Sequence, residues 1–174
     1  MPLIKFETKV IEINSWLIIR LTHNESDLLT SSGLVMVEGS IKNIKFKSPL
    51  EPDGFGSHWF RIDDRLELKA NIHVNDIVLV EINPLDKWPE VEVPEDFMYA
   101  LKTSDAFEKW KSVTTKARWE WIRWIRSTKN IKTRQNRIDA ACSKLNSGMK
   151  RPCCFDSRVC TEPAVSKSGK LIID

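Results

Sequence analysis

Pro94 separates two hydrophobic periods, and no other feature limits the possible folds as strongly. Before it the apolar residues come in short runs, several alternating with a period of two. Residues 5–13, 15–21, 34–41, 44–48, 57–62 and 76–83 read as strands, with a further short one around Val91 and Val93. Ile44 and Phe46 share one face of their strand, and Gly39 inside another marks an expected bulge or bend. Many short strands separated by turn residues predict a small, mostly antiparallel β-barrel, whose closure would remove exposed edges.

After Pro94 the spacing becomes helical. Phe97, Ala100 and Leu101 form an i, i+3, i+4 stripe, with Glu95 and Asp96 in the expected first turn. Ser104 or Asp105 can cap a second helix, Thr114 or Thr115 a third running to about Lys129, and Thr133 a fourth that ends at Gly148. The fold class expected is α+β: a barrel over 1–93, a module of about four helices over 94–148 packed on it, and an irregular arm over 149–174.

Charge follows the same division. Up to Val93 ten Lys/Arg face fifteen Asp/Glu; from Pro94 seventeen face nine. Within 109–137 the basic residues are Lys109, Lys111, Lys116, Arg118, Arg123, Arg126, Lys129, Lys132, Arg134 and Arg137, and Glu120 is the single acid. That imbalance exceeds a usual mixed-sign surface and points to an anionic ligand or protein partner, to nucleic acid or lipid headgroups, or to neutralisation by the acidic half; the short connection between the last two helices leaves a nucleic-acid reader using Gln135 and Asn136 as an alternative.

The run RWEWIRWIR (118–126) holds three Trp among three Arg. At ~100° per residue, Ala117, Trp121, Trp124, Ile125 and Thr128 fall in one arc, which explains two of the indoles by packing. Trp119 points the other way, beside Arg123 and Arg126. On the next helix Arg134, Ile138, Ala141, Cys142 and Leu145 share a stripe, so Arg134 heads an apolar face and calls for a carboxylate, expected from the barrel half. Arg137 lies off that stripe, as a solvated charge. The candidate binding face is therefore Arg118, Trp119, Arg123, Arg126, Arg134 and Arg137, with no catalytic residue assigned.

Other chemistry has thin support. His58, His73, Asp76 and Arg134 are the candidates for an enzyme pocket, but no Ser/His/Asp order or paired carboxylates join them. The loop 49–56 has two glycines. It reads either as a phosphate nest or as a strand connection using Gly for positive φ; its acids Glu51 and Asp53 favour the connection. Cys142, Cys153, Cys154 and Cys160 lack partnering histidines and read as reduced thiols, so no metal or cofactor is expected. No apolar run nears the ~20 residues of a membrane span, and the first ten residues lack a signal peptide's apolar core, so a cytoplasmic setting is expected. Oligomeric state leaves no mark on the sequence.

Several short motifs occur in a telling order. Ala106-Phe107-Glu108-Lys109-Trp110, Lys116-Ala117-Arg118, Trp124-Ile125, Thr133-Arg134, Arg137-Ile138 and Leu145-Asn146-Ser147-Gly148 resemble the helical module of the YdeI/OmpD-associated, bacteriocin-protection family. Val37 to Ile41, Phe46 to Gly54, Asn75 to Val80 and Val93 to Phe97 resemble the small β-barrel domain of unknown function that often precedes it. The resemblance implies a cytoplasmic protein of envelope or antimicrobial-peptide stress, acting by binding, and carries no catalytic residues. Asn43 and Asn75 stand where that domain commonly has Gly; Asn tolerates left-handed φ, so both turns are expected to survive.

Overall fold

The computed structural model describes residues 3–152, 164–166 and 170–173. Cys153, Cys154 and Cys160 lie outside the described residues. The chain forms two compact units, Met1–Lys87 with Ala164–Asp174, and Trp88–Pro163.

The first unit is one antiparallel sheet of seven strands curled into a half-barrel. Its strands are β1 (Ile4–Lys9), β2 (Ile11–Ile13), β3 (Trp16–Arg20), β4 (Val35–Ile41), β5 (Ile44–Pro52), β6 (His58–Arg61) and β7 (Ile77–Pro84). They are ordered β1-β7-β4-β5-β6-β3-β2. The curl brings the first strand round to the sixth position, where Thr8 Oγ1 donates to the Arg20 carbonyl at 3.4 Å.

Val10, Leu17, Ile19, Val37, Ile41, Leu50, Phe60, Val80 and Ile82 fill the inside of the curl. β3 and β6 are also covered on their other face. There Trp16, Ile18 and Trp59 pack with Ile13 and with Ala164, Val165 and Leu171 from the chain's end. A strand buried on both faces reads as unbroken apolar sequence, as Trp-Leu-Ile-Ile does in β3. The residues expected to be an irregular arm thus include a β-bridge, Val165 to Leu171, that covers the sheet.

Left-handed residues make two tight turns, one in the β4–β5 hairpin and one just before β7. Asn43 has φ 66° and Asn75 φ 71°, so asparagine adopts the conformation glycine would supply. Gly39 is no bulge: it sits in a regular ladder between Phe46 and Ile82. A Cβ there would lie 2.0 Å from the Glu81 carbonyl oxygen, so glycine is required by close backbone approach.

Two short helices lie between the strands in addition to the expected elements, and both carry start signals. α1 (His23–Ser26) has a capping box in which Thr22 N donates to Glu25 Oε2 at 2.9 Å. α2 (Asp64–Ala70) is capped by Asp63, which accepts from Leu66 N at 2.8 Å, and ends on left-handed Asn71.

The second unit holds α3 (Glu95–Thr103), α4 (Phe107–Ser112), α5 (Thr115–Arg126) and α6 (Ile131–Asn146). Asn130, not Thr133, caps α6, accepting from Thr133 N at 2.9 Å. Gly148, at φ 94°, follows its end as expected. α5 stops at Arg126, short of Lys129. The expected strand near Val91 does not form; Val91 instead packs with Phe97, Leu101, Trp110, Trp121, Ile125 and Ile138 in this unit's own core.

Candidate functional site

On α5 the arc drawn from Ala117 is the buried face. Ala117, Trp121 and Ile125 are enclosed, and Trp121 is 0% exposed with its Nε1 donating to the Lys150 carbonyl at 2.9 Å. Trp124 also packs against this core but is only half-buried, edge-on to Trp121 with ring centroids 6.0 Å apart. Lys144 Nζ lies 4.9 Å and the Arg137 guanidinium 5.7 Å from its ring centre.

Four of the six residues expected to meet a partner are tied inward by contacts within their own unit: Arg118, Trp119, Arg134 and Arg137. Arg118 is paired with Glu90 at 2.8 Å and also donates to the Lys111 carbonyl at 3.2 Å. Trp119 Nε1 donates to the Pro89 carbonyl at 2.7 Å, and its ring meets Trp88 edge-on at 6.3 Å. Both residues pin the segment that leads into α3, so Trp119 is not a lone indole among cations. Arg137 is not a solvated charge: it donates to the Trp124 carbonyl at 2.7 Å and to Ser127 Oγ at 2.6 Å, closing the C-terminus of α5. Arg123 and Arg126 are half-buried.

Arg134 has the carboxylate its position demanded, but from its own unit. Asp96, in the first turn of α3, accepts from Arg134 Nε at 2.8 Å and from Nη2 at 3.0 Å. The expected barrel acid is not the partner, because the stripe of α6 faces α3. The Arg134 guanidinium, followed by a smaller opposing effect of burial, holds the Asp96 carboxyl below its ordinary pKa. Both side chains remain partly exposed, so Arg134→Met is expected to lower the unfolding free energy of this unit by only about 1 kcal/mol in urea titration. A loss above about 3 kcal/mol would mean the pair is effectively buried.

Glu120, the one acid of the stretch, is buried at 6% exposure, with Arg151 Nε 3.6 Å from its carboxylate. It therefore does little to offset the outward cations Lys109, Lys111, Lys129 and Lys132, all exposed.

The half-barrel unit builds a second polar centre. Asp53 follows β5 and is 0% exposed. Its Oδ1 accepts from Phe55 N at 2.7 Å and Ser57 N at 2.9 Å, and its Oδ2 accepts from Arg20 Nε at 2.9 Å. Gly54 and Gly56, at φ 80° and 86°, turn those amides inward. The loop that resembled a phosphate nest is thus filled by the protein's own carboxylate. Burial alone would raise the Asp53 pKa; the two amides and Arg20 outweigh it and leave the carboxyl below its ordinary value.

Beside this loop, Ser26, Leu29, Thr30, Pro52, Gly56 and His58 help line a cleft of about 470 Å³. His58, on β6, is buried. Its Nε2 lies 2.9 Å from the Gly33 carbonyl, and its Nδ1 is hydrogen-bonded to Ser26 Oγ. Ser26 had no place among the sequence candidates, since 32 residues separate it from its partner. His73 and Asp76 form a turn before β7 instead: His73 N donates to Asp76 Oδ2 at 2.9 Å, and Lys42 Nζ lies 3.4 Å from the same oxygen. The four enzyme candidates are therefore divided among that turn, the cleft and the helical unit.

Comparison with known families agrees with the two-part architecture. Residues 90–148 match the family model described as bacteriocin-protection, YdeI or OmpD-associated (OmdA). Residues 2–82 match that of a domain of unknown function, DUF1905. No curated protein matches the chain.

Proposed function

We propose, for a chain that joins a DUF1905 domain to an OmdA module, a non-catalytic cytoplasmic interaction protein of the bacteriocin-protection type whose helical unit engages an anionic partner. The observation that carries this reading is the withdrawal of Glu120 from solvent. With it gone, the outward charges of 109–137 are basic, and such a face attracts anions at long range. Arg118, Trp119, Arg134 and Arg137 serve this face from within: they fix the segment before α3 and the ends of α3, α5 and α6. In this reading the exposed Lys109, Lys129 and Lys132 meet the partner, and the half-buried Arg123 and Arg126 add to the positive field.

Trp124, under Lys144 and Arg137, provides a spectroscopic reporter close to these charges. Titration with anionic vesicles, polyphosphate and a single-stranded oligonucleotide at about 50 mM salt is expected to give saturable binding to at least one of them. Its affinity should fall steeply toward about 200 mM salt, because neutralising phosphates releases counterions. Lys129→Glu combined with Lys132→Glu should weaken it by at least about tenfold. Indifference to all three probes at low salt would end the anionic reading.

A further inference from the structure

We propose that Ser26 and His58 form a nucleophile–base dyad that accepts an acyl group from a small uncharged ester bound in the cleft of the half-barrel unit. This goes beyond the anion-binding reading and concerns a different unit, so either can fail without the other.

The roles follow from what each atom can do. The Gly33 carbonyl oxygen can only accept, so the hydrogen bond from His58 Nε2, at 2.9 Å, places a proton on that nitrogen. A neutral imidazole so fixed presents a lone pair at Nδ1, and that atom is the one bonded to Ser26 Oγ. Nucleophile, base and an orienting third group therefore stand in sequence, with a backbone carbonyl in the place a carboxylate often takes. Ring rotation would break both bonds, and the buried setting of His58 holds the ring in place.

Ser26 and His58 are both among the residues lining the cleft of about 470 Å³, which is within the range of small-molecule sites. Ser31, Ser32 and Thr30 add hydroxyls to the wall, and among the described residues that line it Asp27 is the charged one, with no Lys or Arg. That charge balance disfavours carboxylate or phosphate substrates and suits a neutral ester.

In the first step Ser26 Oγ bonds to the ester carbonyl carbon as its proton passes to His58 Nδ1. The tetrahedral adduct then collapses. The bond to the leaving oxygen breaks, that oxygen takes the proton from Nδ1, and alcohol departs. Water attacks the acyl-serine next and gives its proton to Nδ1. Collapse releases the carboxylic acid and returns the proton to Ser26 Oγ. Throughout, Nε2–H stays on the Gly33 carbonyl.

The test uses the full chain with an alkyl fluorophosphonate, followed by peptide mass spectrometry, and with p-nitrophenyl acetate and butyrate. The expected result is a single stoichiometric adduct on Ser26 and ester turnover that falls at least about 100-fold in Ser26→Ala, with an unchanged circular dichroism spectrum. Ser26→Cys, nearly isosteric, should be alkylated by iodoacetamide faster than the buried Cys142. Absence of any Ser26 adduct in the folded wild-type protein, or equal turnover by Ser26→Ala, would overturn the proposal and leave the pair as a tie between α1 and β6.

Discussion

Asp53→Ala is expected to destabilise the half-barrel unit by about 3–5 kcal/mol, because it removes the buried carboxylate shared by the Arg20 guanidinium and two backbone amides. Arg20 Nη2 lies 2.8 Å from Asp53 Oδ2, and the carboxylate has no exposure to water. The loss should appear in urea unfolding followed by tryptophan fluorescence, since Trp59 lies in the strand that follows the loop. Asp53→Asn keeps one acceptor and should cost less. In the Arg20→Met background the cost of Asp53→Ala should shrink, as the guanidinium is then gone. A cost below about 1 kcal/mol for Asp53→Ala alone would show that water enters the loop and replaces the carboxylate.

The same residue sets an acid limit. Its folded pKa lies below its unfolded value, so its contribution is fully present above about pH 4 and is lost as pH falls through the folded value. Asp76, through the His73 amide first, and Asp96, through Arg134 first, are lowered in the same sense. Stability should therefore hold from neutrality down to about pH 4 and decline below it. In Asp53→Ala that decline should be shallower.

Trp121→Ala carries the largest effect expected in the helical unit, about 3–5 kcal/mol. The ring is fully enclosed among the residues of that core, and its loss also leaves the Lys150 carbonyl without its donor at 2.9 Å. Trp119→Ala should cost less, since that ring is only half-buried. The comparison is best read from thermal unfolding followed at 222 nm. If Trp119→Ala costs as much as Trp121→Ala, the segment from Trp88 to Val93 holds the unit together more than its core does.

These two residues also mark what a sequence can disclose. Trp121 was legible because an amphipathic helix repeats its buried face every three to four residues, and that signal is local. The role of Asp53 was not, since its partner Arg20 is 33 residues away and only the folded sheet joins them. Arg134 falls between these cases. Its stripe announced the need for a carboxylate, but the choice of Asp96 depended on which helix α6 packs against. Trp119 was misplaced for the same reason: its acceptor, Pro89, lies 30 residues earlier in a segment without a periodic pattern. The dyad in the cleft left only a partial trace. Thr22 and Glu25 have the spacing of a helix start, which would have placed Ser26 on a short helix, yet nothing local links that helix to His58. The unbroken run Trp-Leu-Ile-Ile in β3 was legible only as a strand; that its second face is covered by Ala164, Val165 and Leu171 depends on contacts no local pattern encodes.

That second cover changes what it means to cut the chain. Because Ala164–Asp174 belongs with Met1–Lys87, the helical unit is an insert whose two ends both lead back to one sheet. Severing the polypeptide once between Lys87 and Trp88 would leave the fragments joined through the other connection. After that cut the link would rest on the docking of Ala164, Val165 and Leu171 against the sheet, and a second cut ahead of them would remove it.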